Sequence, residues 1–581
     1  MAPRLQSAMM APIPLRNRIR SVVGSIFRRP MIRAKDRFLR TARVACRETQ
    51  QQTLQRLLRL NGASRFCREY SLAPNLSVDE FRKRIAVSDY EVFRPWIEQM
   101  QRGKHDALLG NSNKLLMYAI TSGTTDKAKL IPITDHFVRD YRRSWQHWGI
   151  ATHQSHPRMK LLRMVQIISS HNRWQTEDGT PCGNISGLVT AMQKPIIRKL
   201  YTVPGQAAQI DHADAKKHTT ARFALADCCV GMFVTANPGT LLQLMEFSNA
   251  NAARLIRDIH DGTLNHAALS NVETESLRPF LKSDPARAAQ LEAVVTARGV
   301  LSAAQCWPDL QCLAVWTGGS AGAYRNQLQQ TFGNIPLRDH GLHASEGRMT
   351  IPFEDNTSAG VLDIESHFFE FIPVDEIDST DPVVLEAHEL ERDAEYFILL
   401  TTSSGLYRYN IFDVVRCTGF RGTTPLLEFR HKGQHLSSIA GEKLSESQVV
   451  ESVGAVCQQL GFSVQQFTLT PEWGEPPGYT LFVASGRTSA SDRTAFENFA
   501  VSVDAALCQR NCEYSEKRST NRLAMVRCEV VSPESWSRFA TNRLRSSGGS
   551  PEQYKHPCLL PDPLFEGRFF ATAEETDDRM G

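Results

Sequence analysis

Nine residues, Thr121-Ser122-Gly123-Thr124-Thr125-Asp126-Lys127-Ala128-Lys129, gather groups that hold phosphate oxygens. They follow a short apolar run, Leu115 to Ile120, and precede a helical pattern that begins near Thr134. Backbone N–H groups and the hydroxyls of Ser122, Thr124 and Thr125 can donate hydrogen bonds to phosphate. Gly123 permits close approach and Lys129 brings positive charge. An ordinary Ser/Thr-rich turn carries the same letters. The loop acquires meaning only from what stands elsewhere in the chain.

Further stretches carry chemistry. Gly318-Gly319-Ser320 follows the apolar run Leu313 to Thr317 and leads into a helical pattern. Ser345 and Glu346 stand in LHASEG at 342–347, and Tyr407 and Asp413 in LYRYNIFDVV at 406–415. Lys443 stands in IAGEKLSESQ at 439–448 and Lys555 in QYK at 553–555. Carboxylates accept from diols and bind hard cations, and lysines neutralise phosphate. Each residue also has a plainer reading: Asp413 as a turn aspartate, Glu346 as an acid at a helix start, Lys443 as a solvated charge. Asp339, His340, His343 and Glu346 spell a spacing that transition-metal sites use, but it overlaps LHASEG. Cys508 and Cys512 sit four apart on an expected helix, and Cys228 and Cys229 are adjacent. Such thiols usually act as small hydrophobes.

The elements that must position these residues alternate. Leu162 to Ile168, Val230 to Ala236 and Leu313 to Thr317 read as strands, the last two followed by glycine-containing turns and helices. That grammar belongs to an α/β fold with a mainly parallel sheet, whose ligands gather at the C-terminal ends of its strands. Between Val361 and Val415 strand-like runs follow one another with little helix, which adds an antiparallel β-subdomain. The expected division is a basic tail over 1–33, disordered or solvated, a large N-terminal domain over 34–432 and a small mobile α+β domain over 433–581. Ala34 to Leu60 reads as one long helix stopped by Asn61-Gly62. Phe137 to Trp148 reads as a helix whose Tyr141, Trp145 and Trp148 form a core stripe or, for a hydrophobic substrate, a pocket wall.

Composition sets bounds on function. The 581 residues are too many for one core, and 41% hydrophobic with 22% charged suits a globular protein. A net charge of +5 is small at this length and does not call for nucleic acid or membrane as a partner. No apolar run approaches the roughly 18 residues that span a bilayer. Thirteen cysteines without a Cys-x-x-Cys pair suit reduced thiols in the cytoplasm. The start is rich in arginine and free of acids before Asp36. It reads as a solvated tail, although organelle presequences share that composition. The oligomeric state is not legible.

In this order and at these separations, TSGTTDKAK, LHASEG, LYRYNIFDVV, IAGEKLSESQ and QYK together resemble the adenylate-forming superfamily. Within it they look most like the auxin-responsive acyl acid amido synthetases, the Gretchen Hagen family, and their bacterial relatives. The resemblance runs from about Ala34 to the end. It implies ATP-dependent activation of a carboxylic acid as acyl-adenylate, with Mg²⁺, followed by transfer to an amine, often of an amino acid. Ser122, Gly123, Thr124, Thr125 and Lys129 would then hold the triphosphate, and Gly318, Gly319 and Ser320 would lie along the adenosine. Ser345 would face the α-phosphate, Glu346 would place Mg²⁺, and Asp413 would accept from the ribose hydroxyls, with Tyr407 of the same motif also among the nucleotide-binding residues. Lys443 and Lys555 would be brought to the phosphates by the small domain, which is expected to rotate around His431 to Gln434. Lys129, Glu346, Lys443 and Lys555 are thus the catalytic candidates.

Three departures stand out. Asp126 occupies a position where the superfamily has glycine, Leu342 one where an aromatic packs on adenine, and Phe412 that of a glycine before the ribose aspartate. They motivate a nucleotide-binding protein that has lost catalysis as one alternative. An acyl-CoA ligase of the same superfamily is the other.

Overall fold

The computed structural model describes residues 13–121, 129–167, 172–192, 195–210, 212–377, 379–433, 436–440, 442, 444–461, 464, 466–484, 490–547, 556–562 and 565. In the first half of the chain the strands are β1 (Leu115–Thr121), β2 (Lys129–Thr134), β3 (Arg163–Gln166), β4 (Trp174–Gln175), β5 (Pro181–Gly183), β6 (Val230–Val234), β7 (Cys312–Ala314) and β8 (Leu337–Arg338). The order β3-β6-β7-β8 makes a four-stranded sheet in which every pair is parallel. Val165, Phe233 and Leu313 face one hydrophobic core, while Met232, Cys312 and Ala314 face another. Both faces of the sheet are therefore covered, as parallel sheets require. The expected strands were each longer than those formed.

The other sheet, β2-β1-β5-β4, is mostly antiparallel. It adds a strand that the sequence reading did not include: between the phosphate-loop stretch and the helix expected from about Thr134, Lys129 opens β2, which pairs back on β1. The helix Asp135–Ser155 starts only after Thr134, whose hydroxyl caps it by accepting from Phe137 N.

A two-stranded hairpin follows, β9 (His343–Ala344) with β10 (Gly347–Arg348), and Ser345-Glu346 is its two-residue tip. The next strands are β11 (Thr350–Ile351), β12 (Gly360–Leu362), β13 (Phe368–Pro373), β14 (Leu385–Glu386), β15 (Glu395–Thr401), β16 (Tyr409–Arg421) and β17 (Thr424–Lys432). They form one antiparallel sheet in the order β11-β12-β17-β16-β15-β13-β14.

The C-terminal elements have their own core. β18 (Leu436–Ser437) pairs with β19 (Leu444–Ser445), and β20 (Phe467–Glu472), β21 (Gly478–Ala484) and β22 (Arg527–Val531) form a sheet. Helices Glu446–Leu460 and Ala490–Arg510 supply Val449, Val453, Phe499 and Val503 to that core. The segment after the QYK motif returns to β20, with Leu469 N donating to Cys558 O at 2.9 Å and Leu560 N to Leu469 O at 3.0 Å.

Two local readings change. The helix expected from Ala34 to Leu60 is two helices, Leu15–Val44 and Cys46–Asn61, separated at Ala45. The first reaches well back into the stretch read as a tail. Cys508 and Cys512 do not share a helix, since one ends at Arg510 and the next begins at Cys512. All thirteen cysteines are free thiols.

Candidate active site

Four charged side chains from four elements come within electrostatic reach of one another at Glu346. Glu346 comes from the β9–β10 tip, Lys129 from β2, Asp413 from β16 and Lys432 from β17. Asp413 and Lys432 are direct cross-strand partners, and Lys432 Nζ lies 2.5 Å from Asp413 Oδ1. Glu346 is buried, 8% exposed. Burial pushes its carboxyl pKa up, against the pull of Lys432 and, more weakly, of Lys129. Burial would lower the Lys432 ammonium, but Asp413 and then Glu346 outweigh it and hold the pKa up. The cluster pairs two carboxylates with two ammonium groups, a set that balances internally and can rearrange around an anionic ligand and its cation.

Lys129 is positioned by a residue that the sequence did not single out. Tyr90 begins the helix Tyr90–Gln101 and is 5% exposed. Its hydroxyl donates to Leu130 O at 3.2 Å and accepts from Leu130 N at 3.0 Å. Lys129 Nζ lies over its ring, 5.5 Å from the centroid.

The glycine turn is adjacent. Gly319 has φ +56°, and a Cβ there would meet Phe429 Cε1 at 2.8 Å and Arg430 O at 2.9 Å. The close approach that demands glycine is thus to the end of β17. Ser320 continues the turn, Gly319–Tyr324. Asp339 ties this turn to the hairpin. Its Oδ2 accepts from Thr317 N and Oγ1, and its Oδ1 accepts from Gly341 N at 2.6 Å. Burial still raises its pKa to about 6.

These bonds answer the metal spelling. Asp339 has both oxygens engaged, and among the described residues no group of three His, Cys, Asp or Glu could hold a metal ion. His340 and His343 belong instead to an aromatic cluster with Trp145 and Trp316, with centroids 4.9–5.9 Å apart. Trp145 also covers the buried guanidinium of Arg348 at 4.1 Å. Tyr141 and Trp148 are core, with Trp148 Nε1 donating to Asp339 O at 2.7 Å. Trp145, half-buried, is the member of that stripe that faces the hairpin.

Tyr407 is a correction. It is fully buried, stacks on Phe66 at 5.4 Å, and its hydroxyl contacts Cys67 Sγ at 3.1 Å. It belongs to the core beneath the helical front. Tyr409, two residues on, neighbours Glu346 and Asp413 electrostatically. Phe412 adopts φ +58°, so a bulky residue sits where glycine is the unstrained choice. Asn410 Oδ1 accepts from its N–H at 2.7 Å and helps hold it there.

Ser122, Gly123, Thr124, Thr125, Asp126, Lys443 and Lys555 lie outside the described residues. The flanks of the two lysines are firmly held. Beside Lys443, the buried Glu442 accepts from Ile439 N at 2.9 Å, from Ala440 N at 2.8 Å and from the Tyr479 hydroxyl. After Lys555, the buried His556 meets Thr468 Oγ1 at 3.0 Å. The C-terminal elements dock on the site's rim. Arg430 on β17 pairs with Glu451 at 2.9 Å, and Gln327 Nε2 donates to Val464 O at 2.7 Å.

Comparison with known proteins gives this geometry a family. The solved GH3.15 acyl acid amido synthetase shares the fold, with a TM-score of 0.80 at 19% identity over 92% of this chain and 95% of that one. Indole-3-acetic acid-amido synthetase GH3.10 of Arabidopsis thaliana is 22% identical over 88% of this chain and 92% of its own length. The probable indole-3-acetic acid-amido synthetase GH3.1 of Oryza sativa is 28% identical, but the match spans only 55% of that protein. Jasmonoyl–L-amino acid synthetase JAR4 of Nicotiana attenuata is 23% identical over 74% of this chain and 78% of its own. The GH3 family N-terminal domain matches residues 36–337, the central domain 360–432 and the C-terminal domain 447–563, so the chain belongs to the GH3 family.

Proposed function

We propose that the chain is an ATP-dependent acyl acid amido synthetase. The observation that carries the reading is the meeting of Glu346, Lys129, Asp413 and Lys432 in one cluster. A carboxylate is a poor electrophile. Its oxygen attacks the α-phosphorus of ATP, the bond to the bridging oxygen breaks, and pyrophosphate leaves with the electron pair. The amine nitrogen of an amino acid then attacks the acyl carbon, loses a proton, and AMP leaves. Charge gathers on phosphoryl oxygens in the first step, so cations placed beforehand lower its barrier.

Lys129, with Ser122 to Thr125, holds the triphosphate in this reading. Asp413 accepts from the ribose hydroxyls, with Lys432 paired to it, and Gly318 to Ser320 line the adenosine. Ser345 faces the α-phosphate, and Lys443 and Lys555 arrive from the C-terminal unit. Glu346 fits Mg²⁺, since a buried carboxylate within electrostatic reach of Lys432 and Lys129 can share the ion with phosphate oxygens and water. When bound, Mg²⁺ would neutralise phosphate charge. Trp145, His343 and Trp316, clustered at the hairpin, are the side chains this reading assigns to the acid. The free thiols suit a cytoplasmic setting.

The test is pyrophosphate release with ATP, Mg²⁺ and a panel of carboxylic acids that includes indole-3-acetate and jasmonate. AMP release is then followed on addition of amino acids or CoA. Amide product supports the reading. A CoA thioester would replace it with a ligase. ATP binding without acid-dependent turnover would leave a nucleotide-binding protein that has lost catalysis.

A further inference from the structure

The helix Leu15–Val44 is amphipathic in the wrong sense for a soluble surface. Leu15, Ile19, Val22 and Ile26 recur at helical spacing on one stripe, and they are 72%, 56%, 71% and 66% exposed. Val23 and Phe27 widen it. Six of the nineteen exposed large apolar residues among the described residues fall within these thirteen positions. That is a patch, not scatter. The opposite face is the one fixed to the protein. Asn17 is buried, Arg20 Nη2 donates to Leu162 O at 2.8 Å, and further along Lys35 Nζ donates to Gln154 Oε1 at 2.6 Å.

We propose that this outward face docks on an anionic lipid surface. The argument is charge complementarity. Arg18 and Arg29 border the stripe, Arg33 lies on its line two turns further, and all three are exposed. The sequence has no acid before Asp36. Two copies of the stripe brought together would crowd arginines against arginines with no carboxylate to pair them. A surface of anionic headgroups over acyl chains satisfies both halves, taking the apolar side chains below the headgroups and the guanidinium groups among them. No helix of the described residues is long and apolar enough to cross a membrane, so the contact is a peripheral one. The small net charge of the whole chain gave no reason to expect it, because it averages over this stretch, where bases stand without acids. The inference does not depend on the reaction assigned above.

The experiment is flotation of the full chain with vesicles of phosphatidylcholine alone or mixed with phosphatidylglycerol. Binding is expected to the anionic vesicles only, and to weaken with salt. The double change Val22→Asp and Ile26→Asp should lower it at least about tenfold, and each of Arg18→Gln and Arg29→Gln about fivefold. All of these positions are exposed and remote from Glu346, so thermal unfolding and acid-dependent pyrophosphate release should not change. The proposal is overturned if the wild-type chain fails to float with anionic vesicles, or if the double variant floats as well as the wild type. A dimer dissolved by V22D/I26D, without lipid binding, would make a second copy the occupant. If a chain begun at Ile13 floats while the full chain does not, the first twelve residues cover the stripe, and that too would overturn it.

Discussion

The charges at the site differ in how replaceable they are. Lys129→Ala and Asp413→Ala should each lower acid-dependent pyrophosphate release roughly 10²–10³-fold, the usual cost of losing one preorganised group that meets developing charge or fixes the nucleotide. Wild-type rates in both folded variants would remove them from the site. Lys432→Met should act mainly on nucleotide affinity, raising KM for ATP about tenfold, because Asp413 would lose the ion-pair partner 2.5 Å away that holds its carboxylate in place. Glu346 adds a pH dependence. Its pKa is raised by burial, so as pH falls it loses its charge sooner than an exposed glutamate would. Pyrophosphate release at limiting MgATP should therefore decline on the acid side with a midpoint above the ordinary value of 4.5. Saturating MgATP should move that midpoint down, since a bound cation favours the ionised form. Asp339, raised to about 6, can add a second limb that Asp339→Asn removes. Stability responds in the opposite sense. Keeping a raised carboxyl ionised costs folding free energy at neutral pH, and that cost is relieved as pH falls through the folded pKa. A rate profile that stays flat down to 4.5 would dismiss Glu346 as an ionised ligand of the cation.

At the scale of elements, the site depends on two close approaches. Gly319→Ala should cost about 2–4 kcal/mol in urea unfolding, from a left-handed backbone and a Cβ driven into β17. A loss well under about 1 kcal/mol would mean that the turn can move off β17. Tyr90→Phe should cost about 1 kcal/mol and raise KM for ATP, because Leu130 loses its hydroxyl partner and Lys129 its anchor. An unchanged KM would separate Tyr90 from the site. These elements also show what was legible in the sequence. Strand, glycine turn and helix follow local rules, so the parallel sheet and the Gly318-Gly319 turn could be read directly. Asp413 could be read because its neighbours spell a motif. Lys432 could not, because it reaches Asp413 through the bulged register between β16 and β17, which the tertiary fold sets. β2 was hidden by Pro132. A proline argues against a strand interior, yet β2 lies at the edge of its sheet, where a missing N–H is tolerated. Tyr407 was misplaced because a motif names its members without orienting them. The chain turns at Arg408, with φ +46°, and sends Tyr407 into the core instead.

In the proposed reading the molecule carries out two reactions at one site, and Lys443 and Lys555 come to it from the C-terminal unit. Arg430–Glu451 and Gln327–Val464 hold the helix Glu446–Leu460 near the glycine turn. Between the units the chain passes through Gly433, whose N–H donates to Phe412 O at 2.7 Å and whose Cβ, if present, would lie 2.2 Å from Phe397 Cε1. We propose that this narrow passage is a hinge and that the unit from 433 onward turns about it between adenylation and amide formation. Glu451→Ala weakens the docked state by removing a partly exposed ion pair, worth about 1 kcal/mol at most. If docking serves one half-reaction and undocking the other, the rates of pyrophosphate release and of amine-dependent AMP release should shift in opposite directions, each by up to about fivefold. Gly433→Ala should instead slow both, because the added methyl presses on Phe397 in every orientation that keeps β17 in place. Small-angle scattering with ATP, and then with AMP and an amino acid, should give two distinct envelopes for the wild type. Identical envelopes, together with half-reaction rates that Glu451→Ala moves in the same direction or not at all, would mean that the two reactions share one fixed arrangement.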